Sequence, residues 1–189
     1  EKIIGANAHL AIYKKTLSSD LDKGFYVEEV QNIMQDLRNK KNFKAAYPLV
    51  KGQVLASKSN NSTGVEVYGI RKGDLLNIEL VNKPTSSEGS MENFNNGVAI
   101  GAHIARKLKI PITDTIKRIS PNGATSVFGT IPRVNVYKVK YIFSVGRYDI
   151  DSTRIYMPIK DAQVFFNRAD QADLIEVLLN NPFDVDEFK

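Results

Sequence analysis

Residues 137–145 restrict the fold more than any other passage. Tyr137, Val139, Tyr141, Phe143 and Val145 fall at every second position, with Lys138 and Lys140 among the residues between them. Side chains on a strand point alternately to its two sides, so this spacing predicts a β-strand with one buried face. Such a strand needs partners, and the chain offers several. Residues 2–13 alternate, with Ile4, Ala6, Ala8, Leu10 and Ile12 on one side. Residues 43–56 read as extended, interrupted at Pro48. Shorter strands are expected at 64–70, 98–100, 115–119, 154–157 and 174–179. Val134 and Val136 are out of phase with Tyr137, which predicts a bulge or twist just before the long strand.

Helical spacing appears between the strands. Val27, Val30, Ile33, Met34 and Leu37 form one apolar stripe, predicting a helix over 20–39 capped by Ser18, Ser19 or Asp20. A second helix over 102–108 buries Ile104 and Leu108 and ends before Pro111. A third starts at Pro158 and runs to Phe165, and residues 184–188 resemble the first turn of another. Residues 57–63 read as a polar turn. Residues 82–96, rich in Ser, Asn and Gly, read as a mobile loop. Strands and helices do not alternate regularly, so the class is α+β (mixed α/β) rather than doubly wound.

The 189 residues, 42% hydrophobic and 25% charged, suit one domain or two small ones sharing a core. The net charge is +5, but the basic residues are dispersed, with no basic stripe interleaved with aromatics, and nucleic acid is not an expected partner. The absence of cysteine removes disulfides, thiolate metal sites and cysteine nucleophiles. No apolar run approaches the roughly 20 residues of a membrane helix, and no signal peptide is present. Glu1 is not an initiator methionine, so the chain is expected to be a piece of a longer protein.

Residues 120–133, SPNGATSVFGTIPR, join two expected strands yet exceed the two to five or so residues of a hairpin turn. Val127, Phe128 and Ile131 stand where a solvated loop would be polar. Gly123 to Gly129 opens like a phosphate cradle, but Thr130 and Ile131 follow where a P-loop needs Lys and Ser/Thr. Asp149-Ile-Asp-Ser-Thr153 matches the pattern of an aspartate-nucleophile phosphotransferase, with one carboxylate attacking and the other serving as acid or base. That motif belongs after a first buried strand near the chain start, and here it reads as a strand end and polar turn. His9 and His103 each lack a second ligand at metal spacing. No catalytic residue, metal site or cofactor is expected, and the chain is not expected to be an enzyme.

Three segments carry a resemblance. Gly64-Val-Glu-Val-Tyr-Gly-Ile70 is similar to the GV-x-V-x-GI strand of the MacB-like periplasmic core of type VII ABC permeases. Val98-Ala-Ile-Gly-Ala-His-Ile-Ala-Arg-Lys-Leu108 resembles that family's strand–Gly–helix segment. The third runs from Ile119-Ser-Pro-Asn-Gly through Gly129-Thr-Ile-Pro-Arg133 to Tyr141-Ile-Phe-Ser-Val-Gly-Arg-Tyr-Asp-Ile-Asp-Ser-Thr153. It narrows the resemblance to the lipoprotein-releasing (Lol) transmembrane subunits of the LolC/LolE family. Asp161-Ala-Gln163 and Asn181-Pro-Phe-Asp184 extend it over nearly the whole chain. Thr113-Asp114 departs from the family's common Gly-Asp, which puts that turn's geometry in question.

The resemblance implies a porter-like subdomain from residues 1–58 and 170–189, incomplete at its C-terminal end. It implies an inserted β-rich subdomain from 59–169, carrying a long hairpin hook at 120–133. Membrane helices would precede Glu1 and follow Lys189, placing this domain in the periplasm of a Gram-negative bacterium, on the inner membrane. The partners implied are the periplasmic lipoprotein carrier LolA, a second permease subunit in a homo- or heterodimer, a cytoplasmic ATPase (LolD) and the lipoprotein itself. The carrier would dock on Pro121, Asn122, Gly123, Ala124, Thr125, Ser126, Val127, Phe128, Gly129, Thr130, Ile131 and Pro132. Lys117, Arg133 and Asn135 would assist at the base. Pro121 and Pro132 would limit the entropy lost on docking. Two alternatives stay open. The segment could fold back and bury Phe128 on its own sheet, or the chain could belong to a MacB-type efflux or mechanotransmission permease that recruits no carrier.

Overall fold

The computed structural model describes residues 8–14, 24–126 and 129–183, with 120–126 and 129–133 described by their backbone. The elements in chain order are β1 (Leu10–Tyr13), α1 (Val27–Arg38), β2 (Phe43–Lys58), β3 (Asn61–Ile70), α2 (Lys72–Leu75), α3 (Glu79–Asn82) and β4 (Ser86–Gly89). A 3₁₀ turn (Met91–Asn96), β5 (Val98–Gly101), α4 (Ala102–Leu108), β6 (Thr115–Ser126) and β7 (Gly129–Ser144) follow. The chain continues through α5 (Tyr148–Asp151), β8 (Arg154–Pro158), α6 (Ile159–Phe166) and β9 (Leu174–Leu179). The class is α+β, as the sequence implies. Among the described residues no helix is long and apolar enough to cross a membrane.

β2 organises the sheet. Its first half pairs with β9, which pairs in turn with β1, while its second half pairs with β3. From β3 the order continues through β8, β5 and β7. β6 pairs with β7 and returns to β2 through Leu55↔Ile119, Ala56↔Arg118 and Ser57↔Lys117. Six strands therefore close into a ring, in the order β2, β3, β8, β5, β7, β6, which leaves few open edges. Val54, Val67, Val98, Ile116, Val139 and Ile155 meet inside it, together with Ile104 and Leu108 of α4 and Phe165 of α6. A second core on the other sheet face gathers Tyr68, Tyr156 and Phe143 under α2, α3 and the 3₁₀ turn. Phe94 anchors that turn with no exposed surface, and burying a side chain of this kind stabilises by about 1.5–3 kcal/mol. A third core packs Leu37 of α1 on Ile175, Val177 and Leu179 of β9.

Several expectations need correction. The first helix starts at Val27, not near residue 20: Phe25 instead forms a β-bridge with Ala172, at 2.7 and 2.9 Å. The Glu29 carboxylate accepts the Tyr26 N–H at 2.8 Å and ends the helix cleanly there. The proposed caps Ser18, Ser19 and Asp20 lie outside the described residues, as do residues 2–7 and 184–188. Pro48 does not interrupt β2; it sits in register with Ile175. Strands β2 and β3 run to Lys58 and from Asn61, reducing the expected turn at 57–63 to two residues. Residues 82–96 are not a mobile loop. β4 pairs with β7 over Ser86↔Ser144 to Gly89↔Tyr141, and the Ser90 hydroxyl accepts the Glu92 N–H at 3.1 Å to start the 3₁₀ turn.

β7 itself departs from the sequence reading. Val139 faces the ring interior, whereas Tyr141, Phe143 and Val145 face the second core. Register jumps from Val98↔Val139 to Ala99↔Tyr141, so Lys140 is an extra residue, a β-bulge that swaps the faces. Its carbonyl is used by the Ser90 N–H at 3.1 Å. The expected irregularity before Tyr137 is absent: Val134 and Val136 pair regularly with Ile119 and Lys117 and are simply exposed. Thr113, at the turn where the resemblance leads to the expectation of a glycine, adopts φ +72°, a left-handed conformation that glycine takes without strain.

A polar cluster surrounds Tyr68 of the second core. Lys51 Nζ stands 3.5 Å from Glu66 and 4.8 Å from the Tyr68 ring, on which Arg154 also stacks at 4.6 Å. Glu176 of β9 is near enough to feel Arg154 and Lys51, yet burial outweighs them and raises its carboxyl pKa. A carboxyl raised on folding contributes stability below its unfolded pKa, and that contribution is lost as pH rises through the folded value. Glu176→Gln is therefore expected to raise the melting temperature at pH 7 and leave it nearly unchanged at pH 4. Melts of both proteins across that range check the sign.

Candidate partner-binding hairpin

Residues 120–133 are mostly strand, not loop. β6 and β7 pair without interruption from Thr115↔Lys138 to Ser120↔Arg133, then resume at Ala124↔Ile131, Thr125↔Thr130 and Ser126↔Gly129. Val127 and Phe128, which join the two strands, lie outside the described residues. The extra length is absorbed by strand continuation and by one irregular interval, Pro121, Asn122 and Gly123 opposite Pro132. Proline carries no N–H for the ladder, so the two prolines occupy the interval where pairing lapses. Only Lys117, Arg118 and Ile119 of β6 pair with β2. Beyond Ile119 and Val134 the hairpin is a two-stranded ribbon that pairs only with itself among the described residues.

The base residues do not all converge. Lys117 is exposed, in register with Val136, and lines a recess of about 310 Å³ with Ser57 and Thr115. Asn135 belongs to the other face, in register with Arg118, and its Nδ2 donates to the Tyr137 hydroxyl at 3.3 Å. Arg133 stands in register with Ser120.

Arg118 escaped the sequence reading although it sits at the hairpin root. Its side chain is fully buried, and its Nε and Nη2 have no hydrogen-bond partner among the described residues. Nη1 points at the Met157 sulfur, and the guanidinium stacks on Tyr137 at 3.7 Å and Phe165 at 4.8 Å. Burial pushes its pKa down to about 10, against the favourable influence of Tyr137 and Asp161, so it remains charged at neutral pH. The available signal was its phase: two residues from buried Ile116, it had to point inward. Removing a buried charge that makes no ion pair among the described residues offsets lost stacking, so Arg118→Met is expected to stabilise by about 1–2 kcal/mol. A lower midpoint in urea denaturation would contradict that balance.

The remaining motifs have structural partners. The buried Asp151 carboxylate accepts the Ser144 hydroxyl at 2.8 Å and the Val145 N–H at 2.9 Å. Asp149 pairs with Arg147 at 2.8 Å, which holds its carboxyl below the usual range. The two aspartates lie in α5, a single helical turn instead of the expected polar turn, and they engage different partners. His9 Nδ1 accepts the Leu179 N–H at 2.9 Å, tying the chain beside β1 to β9. His103 packs edge-on against Tyr148 at 4.9 Å.

Two solved structures share this arrangement. One is the extracellular domain of the noncanonic ABC-type transporter YknZ from Gram-positive bacteria. It has a TM-score of 0.55 and 14% identity, with 93% of this chain and 84% of that one covered. The other is the periplasmic region of MacB from Actinobacillus actinomycetemcomitans, with a TM-score of 0.53 and 11% identity, covering 90% and 73%. The fold is that of these transporter domains. Two curated proteins are similar in sequence, both described as lipoprotein-releasing system transmembrane protein LolC. The one from Neisseria meningitidis is 24% identical over 156 residues, 80% of this chain and 37% of its own length. The one from Buchnera aphidicola is 28% identical over 152 residues, 78% of this chain and 38% of its own. The chain thus spans less than two fifths of these relatives. No family model matches it.

Proposed function

We propose that this chain is the periplasmic domain of the transmembrane subunit of a lipoprotein-releasing ABC transporter, and that its 120–133 hairpin recruits the periplasmic lipoprotein carrier, LolA. The parent protein would sit in the inner membrane of a Gram-negative bacterium, beside a second permease subunit. A separate cytoplasmic ATPase (LolD) would hydrolyse ATP, and no chemistry falls to this chain. The likeness to LolC over some four fifths of the chain supports the transport reading. The observation that carries recruitment is the ribbon beyond Ile119 and Val134, which has no third strand among the described residues. By sequence its tip is Val127-Phe128, an apolar pair of the kind that anchors an interface.

In calorimetric titrations with the carrier, Phe128→Asp is expected to weaken binding at least about tenfold while leaving the melting temperature unchanged. Equal affinity in wild type and variant would overturn recruitment through the tip. Absence of binding in either would favour the alternative of a permease domain that recruits no carrier.

A further inference from the structure

Two recesses adjoin, sharing Gly64 and Thr153 in their linings. The larger, about 900 Å³, runs along Leu55 and Ile119. These two residues are cross-strand partners, and Ile119 is in turn opposite Val134, so an apolar row crosses β2, β6 and β7. Leu55 is 43% exposed and Val134 51%. The smaller recess, about 490 Å³, is lined by His103, Arg106 and Lys107 of α4, with Tyr148 and the Thr63 and Ser152 hydroxyls.

Charge differs between the two. Among the described residues no carboxylate lines the smaller recess, and Arg106 and Lys107 are exposed. Lys107 Nζ donates to the Thr63 hydroxyl at 3.0 Å, leaving its charge uncompensated by any acid among the described residues. Among the described residues two carboxylates line the larger recess, and both are engaged. Glu66 is held by Lys51 and accepts the Tyr68 hydroxyl at 3.0 Å, and Asp149 is paired with Arg147.

Gly64 stands where the recesses meet, opposite Leu55. At Gly52, Gly69 and Gly101 an added Cβ would collide with neighbouring atoms, so packing explains those glycines. At Gly64 a Cβ would meet nothing within 4 Å, and its backbone is not left-handed. Neither conformation nor packing demands glycine there, and a large side chain at this position would enter the space where the two recesses meet.

We propose that the joined recesses bind one anionic amphiphile, with its acidic head at Arg106 and Lys107 and its acyl chain along Leu55 and Ile119. A guanidinium fork and an ammonium suit a phosphate or carboxylate head, and the apolar row takes a chain that a free anion lacks. The site is separate from the hairpin tip and does not depend on carrier recruitment.

The test is a titration of the 189-residue chain, followed by NMR, with monomeric dihexanoylphosphatidylglycerol. Inorganic phosphate and dihexanoylphosphatidylcholine are the comparison ligands. Saturable binding of the glycerol lipid is expected, at least about tenfold tighter than either comparison. Gly64→Phe should weaken it about tenfold without lowering the melting temperature, because the ring enters open space. The Arg106→Glu, Lys107→Glu double variant should do the same through the head group. No saturable binding of the monomeric lipid would overturn the proposal. So would equal affinity for inorganic phosphate, or undiminished binding by both variants.

Discussion

Gly101→Val is expected to prevent folding of the chain. Gly101 ends β5 and precedes α4 with φ −65° and ψ 143°, an ordinary conformation, so the constraint is space. A Cβ there would run into the Asp151 carbonyl oxygen and lie 2.7 and 2.8 Å from its carbon and Cα. All three are backbone atoms of α5 and cannot rotate aside as a side chain would. Relief requires displacing α5, and with it the Asp151 carboxylate that holds Ser144 and Val145 at the end of β7. The cost should exceed about 4 kcal/mol, a large share of a domain's net stability. Circular dichroism and thermal melting report it directly, and a folded Gly101→Val protein with a near-native melting temperature would refute the packing account.

The second large effect belongs to the same joint. Asp151→Ala removes a buried acceptor from two donors and strands the Val145 N–H, itself part of a buried residue. Charge-assisted bonds of this kind are stronger than neutral ones, and an orphaned buried donor pays its full desolvation. A loss of about 2–4 kcal/mol is expected in urea denaturation. Asp151→Asn keeps one acceptor oxygen and should lose less. If Ala and Asn were equally harmless, the carboxylate would not be what holds α5 to β7.

These two residues also indicate what could be read from sequence. The strand–Gly–helix segment at 98–108 was legible because apolar spacing and glycine agree there. That its glycine answers to α5, some fifty residues later, depends on a tertiary approach no local pattern encodes. The alternation at 137–145 correctly marked a strand, but the exchange of faces at Lys140 arises from β5 register and from Ser90, both remote in sequence. Residues 82–96 looked like loop because their composition is polar. Their order comes instead from pairing with the β7 edge and from one buried ring, Phe94. At 120–133 prolines and glycines concealed strand pairing on both sides of a short interval. Arg118 was hidden for a different reason: a charged residue in a short strand is ordinarily assigned to solvent. Leu55 gave no local sign, and Gly64 stood out only as the start of the 64–70 strand; that they are neighbours depends on cross-strand register.

Carrier recruitment is tested most directly by deleting the ribbon at its root. Ile119 and Val134 are paired residues, so an Asn-Gly turn between them can replace 120–133 and preserve the register of the ring below. The measurement is a calorimetric titration of both proteins with the periplasmic lipoprotein carrier. Saturable binding by the intact chain and none by the shortened one, with equal melting temperatures, is the predicted result. Equal binding by the two, or none by the intact chain, would contradict it.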